Sequence, residues 1–336
     1  MKYSLILLVL LFSNFCTYAQ EPIEIEFENG EKRTFTMLYD NPSVLPKWRV
    51  GASLFGFNII NDDGALSLTL RGEYRVNEKL YFDALASFPF ARGIDSKLGN
   101  NKDDKSYRTT KNLNAVGHFT LFNKHITKIK KLLVDFQPIL GGDIIYKIQY
   151  PRQVNRGLLL DFGFNYYTHP ADFGLEQENP KPNLPDDRYA ILNHRSVSLQ
   201  TGLSYTSGES YGMNTSGIER RYFRYRRMYV NVLYAVYNGG TVYYNETEDG
   251  QKSKVTSGFK NPEKNNLGLV YGYIQHLGMM NKPHSFWFGI EFAVLPNLSY
   301  TSTDSFGSQP YEASTATGFV TLQFGLSFGG KHTETE

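Results

Sequence analysis

The chain has 336 residues, 35 basic against 33 acidic side chains, and a formal net charge of +2. So balanced a charge offers no global field to attract nucleic acid, and no nucleic-acid partner is expected. The single cysteine, Cys16, excludes a disulfide framework, and the seven histidines are scattered without ligand spacing, so neither a metal nor any other cofactor is expected.

Residues 1–19 read as a signal peptide. Lys2 supplies a positive start, Leu5 to Phe12 an apolar run too short to span a bilayer, and Thr17-Tyr18-Ala19 a cleavage site that leaves Gln20 first. Residues 20–46 form a second unit. Ile23, Ile25 and Phe27 alternate with Glu24, Glu26 and Glu28, Asn29-Gly30 follows, and Phe35 and Met37 mark a second run. Asn-Gly between alternating runs predicts a hairpin, which its crowd of acids places in the periplasm as a contact for an envelope protein. Pro42 and Pro46 end it as a linker.

From residue 47 to 329 the pattern is one of strands. Trp48 to Ile60 is mixed. Leu66, Leu68, Leu70, Tyr74 and Val76 then share one face, opposite Arg71, Glu73 and Arg75. Leu80, Phe82, Ala84, Ala86, Phe88 and Phe90 follow, with Asp83 opposite, and 91–106 reads as a long loop. Leu113 to Leu121 is a fourth strand, 123–131 a basic connection, and Leu132 to Tyr150 a long fifth strand carrying Asp135, Asp143 and Lys147 on its polar face. Its phase runs unbroken through Gly141-Gly142, which argues against a turn there. Leu158 to Tyr166, with Asp161 opposite, is the sixth, and Val197 to Tyr205 the seventh. Met228 to Val236, Leu267 to Leu277, and Phe286 to Val294 with Trp287 and Glu291 opposite come next, and 299–316 reads as a loop before the last strand.

That last strand, Gly318 to Phe328, puts Val320, Leu322, Phe324, Leu326 and Phe328 on one face and Thr321, Gln323, Gly325 and Ser327 on the other. It resembles the C-terminal β-signal of Gram-negative outer-membrane barrels, with an aromatic end and apolar residues at every second position before it. It departs from that pattern in the polar tail, 330–336. The resemblance implies insertion by the barrel-assembly machinery and contact with outer-membrane lipids and lipopolysaccharide.

Charges stand mid-strand on one face while the apolar face carries none. With the signal peptide, this predicts an all-β, antiparallel, up-and-down transmembrane barrel in the outer membrane. Eleven segments are clear. Such barrels have even counts, so the expectation is ten to twelve strands, and twelve once Asn238-Gly239-Gly240 is read as a turn.

Three sets of residues are candidate sites. Arg71, Glu73, Arg75, Asp83, Asp135, Asp143, Lys147, Asp161 and Glu291 are expected to face the lumen, either lining a pore for small solutes or plugging it as paired charges. Arg220, Arg221, Arg224, Arg226 and Arg227, interleaved with aromatics, are expected at a rim, against lipopolysaccharide phosphates or as snorkelling interfacial residues. His194 and Ser196 share a strand face. A His-x-Ser pair resembles that of outer-membrane lipid A deacylases, though the flanking residues differ and no third member of a triad is placed. The expected function is a non-enzymatic envelope role, as a passive channel or a structural partner of an outer-membrane complex. The alternative is a lipid-modifying hydrolase at His194 and Ser196.

Overall fold

The computed structural model describes residues 22–26, 30–38, 47–60, 63–77, 79–94, 111–139, 142–173, 190–215, 218–245, 252–254, 263–279, 282–306, 309–314 and 318–329. The signal-peptide segment, the linker prolines and the C-terminal tail lie outside these residues.

Among the described residues every element is a strand. β1 (Ile23–Glu26) and β2 (Lys32–Leu38) precede β3 (Trp48–Ile60), β4 (Asp63–Arg75), β5 (Leu80–Ile94), β6 (Lys111–Ile139) and β7 (Gly142–Phe173). β8 (Ala190–Thr215), β9 (Ile218–Asn245), β10 (Lys252–Lys254), β11 (Glu263–Asn265) and β12 (Leu267–Met279) follow, then β13 (His284–Val294), β14 (Asn297–Phe306), β15 (Gln309–Ser314) and β16 (Gly318–Gly329). Pairing in the order β3-β4-β5-β6-β7-β8-β9-β12-β13-β16, with β16 back on β3, closes an antiparallel barrel of ten strands.

Closure is staggered. From Leu80 at the start of β5, successive partners lead through Phe119, Leu160, Leu203, Val230, Tyr271, Phe292, Val320, Ile59 and Gly64, and return to β5 at Ile94, its far end. Such a stagger tilts the strands against the barrel axis. The connections sort by length. The start of β3, the end of β16 and the short connections after β4, β6, β8 and β12 lie at one end, called here the terminal end. The long connections after β5, β7, β9 and β13 lie at the other, the loop end, together with one short exception, the connection after β3.

Four expectations are corrected. Asn238-Gly239-Gly240 is no turn, because β9 runs through it in register with β8, from Ser196↔Asn238 to His194↔Gly240. This brings the count to eleven, and the division of the long fifth segment between β6 and β7 brings it to ten. A new strand does begin at Gly142, with Ile139 opposite it, and Gly141 lies outside the described residues. The phase misled because a bulge between Leu133 and Asp135 shifts β6 by one residue against β7, so Ile148 again meets Leu132. The basic connection 123–131 is the middle of β6. Residues 299–316 include the hairpin β14–β15, which pairs with β11 in a separate three-stranded sheet.

β6 and β7 run well past the wall at the terminal end. The last rung between β5 and β6 is Leu80↔Phe119, and the last between β7 and β8 is Gln153↔Ser210. Beyond these, β6 and β7 pair only with each other. β2 occupies the edge of β8 that β7 leaves, with Phe35 opposite Thr215, and β1 adds outside it. Gly30, in the β1–β2 connection, has φ 78°, a left-handed conformation that glycine adopts without a Cβ clash. Phe35 packs on Ile148 of the β7 arm, with Ile25 and Met213 beside them, in a small core outside the barrel.

The outside of the barrel is apolar. Leu70, Phe82, Phe162, Val232, Phe292 and Phe324 are all exposed there, while their strand neighbours Arg71, Asp83, Asp161, Leu233, Ala293 and Gln323 are buried inside. This inverts the arrangement of a soluble barrel, whose apolar face is the hidden one.

Candidate functional site: a charged layer across the bore

The charged residues of β4, β5, β7 and β13 meet partners from β3, β6, β9 and β12. Asp83 on β5 receives both Arg71 of β4 and Arg227 of β9. Arg71 also reaches Glu73, at 3.0 Å, and Arg49 of β3 reaches the other oxygen of Glu73 at 3.2 Å. His276 of β12 lies 3.1 Å from Glu73 by its Nε2. Arg227 donates to His118 Nε2 at 2.6 Å, and His118 donates from Nδ1 to Asp161 at 2.7 Å, the bonding of a neutral imidazole with its proton on Nδ1. Ser204 donates to Asp161, and Tyr229 to Glu291. Arg71 also lies against Trp287, its guanidinium 5.9 Å from the ring centroid, and Trp287 is fully buried.

These bonds span the bore. In strand order β5 and β9 are four places apart, as are β4 and β12, so the Asp83–Arg227 and Glu73–His276 contacts run between well-separated parts of the wall. Arg49, Arg71, Asp83, His118, Asp161, Arg227 and His276 are all buried. Buried charges persist only when paired and hydrogen-bonded, and here each has a partner on another strand.

Two small cavities flank the layer, and Arg71 and Arg227 line both. The one towards the terminal end is also lined by Arg49, Glu73 and Arg75. The one towards the loop end is also lined by Asp83, His118, Asp161 and Glu291. Above the second cavity the bore turns apolar. Leu233, Val270, Ala293, Leu295 and Phe319 cluster with Tyr167. Tyr167 of β7 stacks on Phe319 of β16, with centroids 6.0 Å apart and planes 8° apart. These strands are five places apart in a ring of ten, so the stack crosses the full bore.

Of the residues expected in the lumen, Arg71, Glu73, Arg75, Asp83, Asp161 and Glu291 line these cavities. Asp135, Asp143 and Lys147 do not belong with them. They sit on the projecting arms of β6 and β7, past the last rung with a barrel neighbour, and their side chains lie outside the described residues. The length of those arms, hidden by the bulges, is the reason.

The arginine run divides between two faces. Arg227 points inward and joins the charged layer. Arg224 and Arg226 alternate with buried Phe223, Tyr225 and Arg227, and so lie on the outer face. Arg224 pairs with Glu209, which also takes Arg152 at 2.9 Å, and Arg226 donates to Gln275 at 3.1 Å. Arg221 is half-buried on the inner phase, and the side chain of Arg220 is outside the described residues.

His194 and Ser196 share the inner face of β8, both buried. Their hydrogen bonds lead elsewhere: His194 Nε2 to Asn238 Oδ1 at 2.8 Å, and Ser196 Oγ to Ser198 Oγ at 3.2 Å. His194 Nδ1 has no partner among the described residues. Asn238 in turn donates to the carbonyls of Asn265 and Asn297, tying β9 to the end of β11 and the start of β14. A nucleophile needs its base within hydrogen-bond reach, and this pair serves instead as part of the wall's bonding.

The sequence reading missed Arg49, His118 and His276. The last two carry a legible signal, since each sits opposite the apolar face of its own strand. Arg49 is obscured by the bulge between Ser53 and Gly56, which breaks the alternation of β3.

No family model matches the chain, and no curated protein matches it in sequence.

Proposed function

We propose that this chain is an outer-membrane barrel of a Gram-negative bacterium with a bore sealed at mid-height, acting as a non-enzymatic structural partner in the envelope. One observation carries the reading: Arg71, Asp83 and Arg227 are bonded across the bore, with His118, Glu73 and His276 completing the layer. A passive channel needs a water path, and ten strands stand nearer the eight whose interior side chains fill than the sixteen that leave an aqueous channel. The exposed apolar outer face favours lipid surroundings.

In this reading the terminal end is periplasmic, as short connections are in such barrels. The β1–β2 hairpin and the arms of β6 and β7 then form a periplasmic platform suited to an envelope partner. Arg224 and Arg226 lie on the outer face towards that end, where the anionic groups within reach are those of the inner leaflet. Lipopolysaccharide would instead meet the loop end.

The test is conductance in a planar lipid bilayer after purification from the outer-membrane fraction. Refolded protein is expected to give no steady channel. An ohmic, open conductance would overturn the sealed reading, and recovery of the protein in the soluble periplasmic fraction would overturn the membrane reading.

A further inference from the structure

The charged layer is lopsided. Three of its carboxylates line the loop-end cavity and one the terminal-end cavity, while Arg71 and Arg227 line both. The loop-end cavity is lined by Asp83, Asp161 and Glu291 against Arg71 and Arg227. The terminal-end cavity is lined by Arg49, Arg71, Arg75 and Arg227, and Glu73 is the one carboxylate among its described lining residues. Asp83 balances Arg71 and Arg227 from the far side of the layer. Arg49 has one carboxylate partner, Glu73, which it shares with Arg71 and His276. Arg49 is 4% exposed, so bulk solvent does little for its charge. Tyr81 and Tyr225 line the same cavity, their hydroxyls 3.2 Å apart, and add neutral donors.

We infer that the terminal-end cavity is a binding site for a small inorganic anion. Its wall offers guanidinium and phenol donors, which recognise oxyanions and halides alike, with one competing carboxylate. A bound anion would add a second partner for Arg49 beside Glu73, which Arg71 and His276 also use. The cavity lies inside the barrel wall, which bars a lipid headgroup and leaves a free ion as the ligand. The inference is independent of the protein's location, because it concerns the bore alone.

The experiment uses the full refolded chain in detergent at constant ionic strength. Thermal melting is compared in sodium gluconate, whose anion is too bulky for the cavity, sodium chloride and sodium phosphate. Equilibrium dialysis with labelled inorganic phosphate counts bound ions. Wild-type protein is expected to melt higher in chloride or phosphate than in gluconate and to hold one ion per chain. Arg75→Gln, in the cavity wall, is expected to weaken binding at least tenfold and to erase most of the shift. Arg49→Gln should do the same. Glu73→Gln removes the competing carboxylate and is expected to enlarge the anion-dependent shift even where it lowers the melting temperature itself. Should Arg49→Gln fail to fold, Arg75→Gln and Glu73→Gln still decide with opposite signs. Equal shifts in all variants, or none in wild type, would overturn the inference.

Discussion

Arg227 on β9 and Asp83 on β5 are 144 positions apart in the chain and form an ion pair inside the bore. Both are buried, and Asp83 holds Arg71 by the same oxygen. Removing one partner of such a group leaves the others charged and unpaired. Asp83→Asn is therefore expected to destabilise the barrel by roughly 3–5 kcal/mol. Replacing the charges together, as Arg71→Met, Asp83→Leu and Arg227→Met, should cost less than Asp83→Asn alone. Urea unfolding in lipid vesicles reads both, and equal losses would mean that the layer contributes little as a network.

Gly272 on β12 faces the bore, and the ring of Tyr229 lies over it. A Cβ built there would come within 2.1 Å of that ring. Gly272→Ala must displace Tyr229, which donates to Glu291. The expected cost is about 1–3 kcal/mol, with an altered tyrosine fluorescence. Gly72, where a Cβ would meet nothing within 4 Å, is the control, and Gly72→Ala should be close to neutral.

The last strand separates its two faces sharply. Phe324 is 45% exposed on the outer face, against Phe288, and Gln323 is buried in the bore. An arginine on a lipid face near mid-membrane costs roughly 2–4 kcal/mol. Phe324→Arg should show that loss on folding into vesicles, and Phe324→Leu should lose far less. Gln323→Arg is also expected to be harmful, for a different reason: the bore is filled and has no room for a longer side chain. If Phe324→Arg folds as well as Phe324→Leu, the outer face does not meet lipid.

The hairpin core at the terminal end should melt separately from the barrel. Phe35 is 2% exposed and packs on Ile148, but its strand joins the wall only through β8. Phe35→Ala is expected to release residues 22–38 to protease while leaving the heat-resistant gel mobility of the barrel intact. A matching drop in barrel stability would show that the two cores unfold together.

The alternation of side chains carried the class of this protein. Period 2 with charge confined to one face of β4, β5, β7 and β13 is visible from neighbours in the chain, and so is the hairpin around Asn29-Gly30. Strand count was less legible. A bulge shifts the phase by one residue, and bulges lie in β3, β5, β6 and β9. Gly141-Gly142 therefore hid a turn, and Asn238-Gly239-Gly240 imitated one.

The sequence by itself determined that Arg71, Asp83 and Glu291 share the face opposite the apolar one, since that depends only on position along a strand. It could not say that Asp83 would meet Arg227, that His276 would meet Glu73, or that Tyr167 would stack on Phe319. Those contacts depend on which strands stand opposite one another once ten of them close with this stagger. Closure is a property of the whole sheet, set by register at every rung. Only the tertiary structure decided that a bonded layer crosses the bore, and that Arg49 and Arg75 line the cavity on one side of it while Asp83, Asp161 and Glu291 line the cavity on the other.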